Sequence, residues 1–270
     1  MPPPFQNPPT GRGQGVVLRS DGPGSDVPAG WIALAGGMLS IHEVTKRRGS
    51  REILSGLSFE ARPGRVTAFL GPNGAGKTST LRILLGLDTA TSGTALIDGV
   101  PFARLADPVR KVGAVLEGSG AHRSRTGRAH LRWVAAAGGV PRARVDEVLE
   151  LVGLADDSRR RVRSYSLGMG RRLGLAAALL GDPDVLVLDE PVNGLDPEGI
   201  RWIRTFLRDR AASGRTVLLS SHFLGEVAAT VDDVVVIDRG RIVAQGSLSE
   251  VVGDHGSIEN AYFALTGGAR

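Results

Sequence analysis

Gly71-Pro72-Asn73-Gly74-Ala75-Gly76-Lys77-Thr78 stands between a short, mostly apolar run, Val66-Thr67-Ala68-Phe69-Leu70, and a stretch with leucines at 81, 84 and 85. The run reads as a buried strand. Lys77–Leu87 reads as a helix, because residues three and four apart share one helical face. The octapeptide between them fits GxxxxGK[ST]. Glycines let the backbone turn so tightly that successive N–H groups converge, and the following helix adds the positive end of its dipole. Such a turn cradles phosphate. Lys77 would reach the outer phosphates, the Thr78 hydroxyl would ligate Mg²⁺, and Ser79 shares their helical turn. The chain has only three lysines against 30 arginines. Keeping lysine at 77 fits a demand for a compact ammonium inside a tight cradle.

The second decisive stretch is Val185-Leu186-Val187-Leu188-Asp189-Glu190-Pro191. A fully apolar strand ending in two adjacent carboxylates is poor packing, since uncompensated charge at a core edge is costly. Beside a phosphate loop it is sound chemistry: Asp189 would hold a magnesium ion, and Glu190 would act as general base on water. Further strands are expected at Leu39–Ile41, Val112–Leu116 and Thr216–Ser220. Val234–Ile237 and Ile242–Ala244 would pair as a hairpin about Asp238–Arg241. Helices are expected over 128–157, broken near Gly138–Pro141, and at Gly168–Leu180 and Glu198–Ala212. Strands alternating with helices define an α/β fold.

Composition narrows the possibilities. The 270 residues carry 33 Lys+Arg and 28 Asp+Glu, a net charge of +5, with no cysteine. Disulfides, thiolate zinc sites and cysteine nucleophiles are excluded. The charge excess is small and scattered, so no nucleic-acid partner is expected. The basic run Arg159–Arg163 reads as a solvated face, and His42, His122, His130 and His255 lack metal spacing. No uncharged run is long enough for a membrane span. Residues 1–37 hold seven of the 15 prolines and are expected to be a disordered extension. Met38, just before the first strand, is expected to be a natural translation start.

The phosphate loop and carboxylate strand together resemble the ATP-binding-cassette (ABC) ATPases, and further landmarks of that family follow in order. Ser164-Tyr165-Ser166-Leu167-Gly168-Met169 stands at the signature, matching its common form at Ser166 and Gly168. Asn193-Gly194-Leu195-Asp196 matches the D-loop, and His222, after Ser220-Ser221, the switch histidine. Alone, His222 would be an ordinary strand-end residue. The resemblance covers roughly residues 39–248. It implies a P-loop NTPase cassette over 38–250, with a RecA-like core, an antiparallel β subdomain and an α-helical subdomain at about 118–180; residues 251–270 would be a short tail.

The same resemblance implies the mechanism and partners. Two copies would pack head to tail as a homodimer, each ATP lying between Gly71–Ser79 of one and Ser166, Gly168 and Asp196 of the other. Glu190 and His222 would be catalytic, and Thr78, Asp189 and Glu117 would face Mg²⁺. The partner would be a separate transmembrane permease, and the location the cytoplasmic side of the cell membrane. Tyr165–Met169 and Pro191–Pro197 resemble the multidrug and daunorubicin-resistance exporters in particular, which implies drug or antibiotic efflux. Two departures stand out. Arg48 occupies the position of the family's adenine-stacking aromatic residue, and Glu117 that of its Q-loop glutamine. A cytosolic ABC protein acting on ribosomes or DNA would carry two cassettes or a long coiled-coil insertion, and neither is present. That non-transport cytosolic ABC ATPase and a nucleotide-binding module with weak turnover are the two alternative readings.

Overall fold

The structure is a computed structural model that describes residues 37–116 and 120–267. The expected disordered extension, apart from Gly37, and Glu117 lie outside the described residues. Strands β1 (Leu39–Arg48), β2 (Arg51–Ala61) and β3 (Val66–Leu70) come first, then helix α1 (Lys77–Leu84) and β4 (Ser92–Ile97). Next are α2 (Pro108–Lys111), β5 (Val112–Val115), α3 (Gly127–Ala137), α4 (Arg144–Leu151) and α5 (Leu167–Ala178). The remainder is β6 (Val185–Asp189), α6 (Pro197–Ala212), β7 (Thr216–Ser221), α7 (Leu224–Ala228), β8 (Asp233–Asp238), β9 (Arg241–Ser247), α8 (Leu248–Val252) and α9 (Ile258–Leu265).

The strands form two sheets. β2-β1-β4 is a three-stranded antiparallel sheet, and β5-β6-β7-β3-β8-β9 a six-stranded one. Neighbours from β5 through β8 run parallel, and β9 closes the edge antiparallel to β8 as the sequence hairpin requires. Every residue of β3, β6 and β7 is buried, as expected of parallel strands covered on both faces.

Alternate residues of those strands feed two different cores, as a period of two dictates. Val66, Ala68 and Leu70, with Leu186, Leu188, Val217 and Leu219, meet apolar residues of α3, α4, α5 and α6. Phe69, Val185, Val187, Leu218, Val235 and Ile237 face the other way, onto α1 and the antiparallel sheet. The broken helical stretch read from the sequence is α3 and α4, whose buried Leu131, Val145, Val148 and Leu149 pack with Leu173 of α5. Arg172 of α5 fastens this layer by donating to the Val152 carbonyl at 3.3 Å and lying over the Trp202 ring of α6 at 5.4 Å.

Two boundaries differ from expectation. The first helix stops at Leu84, where Leu85 turns and its N–H bonds back to the Leu81 carbonyl. Residues 251–267, set apart above as a tail, carry α9, whose buried Ile258 and Ala261 pack beside α7 and α8. In α9, Ile258, Ala261, Tyr262 and Leu265 stand at i, i+3, i+4 and i+7, an apolar helical spacing that the sequence reading passed over. Among the described residues no helix is long and apolar enough to cross a membrane.

Candidate functional site

Sheet register assembles the site. Leu70 at the end of β3 pairs with Ser221 of β7, and Asp189 at the end of β6 pairs with Ser220. The next residue on each strand, Gly71, His222 and Glu190, therefore leaves the same sheet edge side by side. In parallel α/β sheets this carboxyl edge is where ligands bind.

The phosphate loop is locked from within. Lys77, at the start of α1, is 6% exposed. Its Nζ donates to the Gly71 carbonyl at 2.6 Å and lies 3.8 Å from Glu190 Oε1. Burial lowers the pKa of this ammonium, and the Glu190 and Asp189 carboxylates act in the opposite direction. Ala75 N–H donates to the Pro72 carbonyl at 3.1 Å, closing the turn. Gly76 has φ +114°, and a Cβ there would sit 2.4 Å from Leu54 Cδ2 of β2. Only glycine suits that conformation. Pro72, Asn73 and Gly74 are exposed, Gly71 and Ala75 buried, and Ser79 half-buried in the first helical turn.

Around the loop the polar groups form one connected set. Thr78 Oγ1 donates to Asp189 Oδ2 at 2.8 Å. The other Asp189 oxygen accepts from the buried Ser220 hydroxyl, whose oxygen in turn accepts the Glu190 N–H at 3.0 Å. Glu190 has φ +52°. Its Oε2 stands 2.8 Å from His222 Nδ1 and accepts the His222 N–H at 3.3 Å. The structure thus brings together Lys77, Thr78, Asp189, Glu190 and His222. Ser220, read from the sequence only as strand, is an added member. Its signal was register: it lies directly across from Asp189.

The signature residues form a second group. Ser166 caps α5, its hydroxyl accepting the Met169 N–H at 3.2 Å. Gly168 lies against the D-loop, where a Cβ would come 3.3 Å from the Gly194 carbonyl oxygen. Asp196 caps α6, Oδ1 accepting the Gly199 N–H at 2.8 Å. Its carboxylate is thus already engaged within its own chain. Among the described residues no hydrogen bond or ion pair joins Ser166, Gly168 or Asp196 to Gly71–Ser79. Arg48, at the end of β1, meets Asp88 at 3.2 Å. His130 is a buried packing residue in α3, its pKa lowered by burial and then by Arg125. Arg159, Arg160, Arg161 and Arg163 are exposed.

The Thr78 and Asp189 oxygens, together with phosphate, make a hard-oxygen donor set that suits Mg²⁺. A carboxylate held this far inside, with Asp189 6% exposed, also fits a site that receives a cation.

An alternating sheet with a phosphate loop, two carboxylates and a histidine at its carboxyl edge defines a nucleotide-hydrolysing cassette. A family model described as ABC transporter matches residues 54–193. The bacitracin transport ATP-binding protein BcrA of Bacillus licheniformis is 40% identical over 216 residues, 79% of this chain and 69% of that protein. The Nod factor export ATP-binding protein I of Ralstonia nicotianae is 40% identical over 220 residues, 80% of this chain and 68% of that protein. A solved structure described as an ATP binding subunit of an ABC transporter superposes with a TM-score of 0.77 at 26% identity, covering 84% of this chain and 99% of that one. The chain belongs to the ABC transporter family, as an ATP-binding subunit that hydrolyses ATP.

Proposed function

We propose that this cassette is the engine of an exporter for a drug or antibiotic, working from the cytoplasmic side of the membrane on a separate permease. The export reading is supported by relatives whose names carry bacitracin transport and Nod factor export. The chemistry rests above all on one observation: Glu190 lies between Lys77 and His222, at 3.8 and 2.8 Å, at the mouth of the phosphate loop.

In the mechanism these residues support, backbone N–H groups of Gly71–Thr78 and the α1 N-terminus hold the β- and γ-phosphates. Lys77, desolvated and so strongly interacting, neutralises charge that shifts toward the leaving group. Glu190 takes the proton from the attacking water. His222 orients Glu190 through Nδ1 and offers its other ring nitrogen toward the γ-phosphate. Thr78 and Asp189 would hold Mg²⁺, which when bound offsets phosphate charge and fixes the phosphate geometry; Glu117 is proposed to stand near it. Ser166 and the amides opening α5 form a second anion seat, which a γ-phosphate bound to another copy of the chain would fill. Gly168 and Asp196 belong to that same face, giving a head-to-tail homodimer closed by two ATP and opened by hydrolysis. Differential affinity of ATP for the closed form supplies the coupling.

Glu190→Gln tests this reading. Removing a general base costs on the order of 10²–10⁴ in rate, while the phosphate loop is untouched. The variant is expected to bind ATP, to hydrolyse it at least about a hundredfold more slowly, and to run as a dimer with ATP in light scattering. Wild-type turnover removes Glu190 from the role of base, and a monomer at saturating ATP removes the sandwich.

A further inference from the structure

The segments that lead into α3 and into the signature carry a charge that the nucleotide site does not use. Backbone hydrogen bonds tie them together. The Val162 N–H donates to the Arg125 carbonyl at 2.9 Å, the Arg163 N–H to the Arg123 carbonyl at 3.0 Å, and the Gly127 N–H to the Arg160 carbonyl at 3.3 Å. Two arginine-bearing stretches far apart in the chain, 123–125 and 159–163, thus become neighbours. Arg123, Arg125, Arg159, Arg160, Arg161 and Arg163 are all exposed. The nearby acidic residues of the two segments are Asp156 and Asp157. Arg160 pairs with Asp157 at 2.5 Å; among the described residues the other five arginines form no ion pair.

Trp133 borders this surface. Its helix, α3, buries Leu131 and Ala135, whereas Trp133 is 56% exposed. The Arg125 guanidinium lies over the ring, 4.7 Å from its centroid. Tyr165, the other aromatic residue here, is half-buried, with its hydroxyl donating to the Asp157 carbonyl at 2.9 Å.

Unpaired guanidiniums held this close repel one another. What offsets them is anionic oxygen, above all phosphate, which a guanidinium grips with two N–H groups. A single-stranded nucleic acid would need open ring faces on which bases stack. Here Arg125 covers one face of Trp133, and Tyr165 is packed away. A bilayer asks for something different. Anionic headgroups move laterally to meet basic side chains in no fixed array, and tryptophan settles at the headgroup level with its apolar body inward. Clusters of about four to eight basic residues suffice for such binding. We propose that this arginine surface, with Trp133 at its border, binds anionic phospholipid and seats the cassette directly on the membrane. The proposal rests on the membrane setting of the proposed function and adds a lipid ligand to it.

The experiment is co-sedimentation of the full chain with vesicles of phosphatidylglycerol and phosphatidylcholine in equal parts, and of phosphatidylcholine alone. Wild type is expected on the first and not on the second, with binding that weakens as salt shortens the Debye length. An arginine near an anionic bilayer contributes about fivefold in partitioning, so Arg161→Gln/Arg163→Gln is expected to bind roughly 25-fold more weakly. Its ATPase rate without vesicles should be unchanged. Arg201→Gln/Arg208→Gln removes the same charge from exposed positions on α6 and is expected to bind like wild type. Tryptophan emission is expected to shift to the blue on the anionic vesicles, and not in Trp133→Phe. Equal losses in the two double variants, equal binding to both vesicle types, or an emission that the anionic vesicles leave unchanged overturns the assignment. So does tighter binding to a single-stranded oligonucleotide or to polyglutamate, or displacement by inorganic phosphate beyond that by sodium chloride at equal ionic strength. Glu190→Gln should sediment with the anionic vesicles as wild type does. If it loses turnover as expected above while lipid binding fails, only the lipid contact falls.

Discussion

Replacing Ser220 with alanine isolates the least obvious member of the site. Its hydroxyl donates to Asp189 and accepts the Glu190 N–H, and both Ser220 and Asp189 are buried. The Glu190 amide also donates to the Ser220 carbonyl at 3.2 Å, so it keeps a partner in Ser220→Ala. The Asp189 carboxylate keeps Thr78 on Oδ2, but its Oδ1 loses the Ser220 bond, and at 6% exposure water does not fully replace it. A hydrogen bond to a charged group contributes about 1.5–3 kcal/mol, so a loss near 2 kcal/mol is expected. For a domain of this size that is a fall of roughly 4–8 °C in Tm. Ser221→Ala is the control, because its hydroxyl accepts only the neutral Phe223 N–H, at 3.0 Å, worth about 1 kcal/mol. Differential scanning calorimetry of both variants, with ATPase rates, decides the matter. Equal Tm values for the two variants would refute the claim that Ser220 supports a buried charge.

Two further outcomes are expected. Gly76→Ala forces an L-residue to φ +114° and presses Leu54; it should cost about 2 kcal/mol of stability and raise the ATP KM at least about tenfold by misaligning the loop amides, measured by urea unfolding and steady-state kinetics. The Asp88 carboxyl is held at a pKa of about 2, below the ordinary 3.8, first by the Lys46 hydrogen bond and then by the Thr89 N–H. Its depressed pKa means that its contribution to folding is complete above about pH 4 and is lost as pH falls through about 2. NMR titration should return this carboxyl toward 3.8 in Lys46→Ala.

The central parallel strands were legible because burial on both faces makes them near-continuous apolar runs, as in Val185–Leu188 and Val66–Leu70. The phosphate loop was legible because its chemistry depends on local order in the chain. The antiparallel sheet was not read beyond Leu39–Ile41. β1 carries register shifts between Ile41 and Val44 and again near Lys46, so its alternation breaks and its polar end resembles a loop. Ser220 and Asp88 escaped for a different reason. Nothing in a serine within a strand, or an aspartate within a turn, announces the partner that tertiary register supplies. Asp196 shows the converse, since a motif position that reads as ligand contact is engaged here as a helix cap.

The contact between the signature helix and the D-loop carries a mechanical consequence. Gly194 leaves no space for a side chain: a Cβ would lie 2.3 Å from Leu167 Cδ2. One residue upstream, the Asn193 N–H donates to the Glu190 carbonyl at 3.2 Å. Each chain thus joins Glu190, the proposed base, to the face it would offer a neighbour in the proposed dimer through a span of only a few bonded and touching atoms. In the proposed two-ATP assembly, a shift at one Glu190 would be passed through this contact to the face presented to the other copy. The two sites would then keep time with each other, and a single substitution at the Leu167–Gly194 contact should desynchronise them without altering what either one binds.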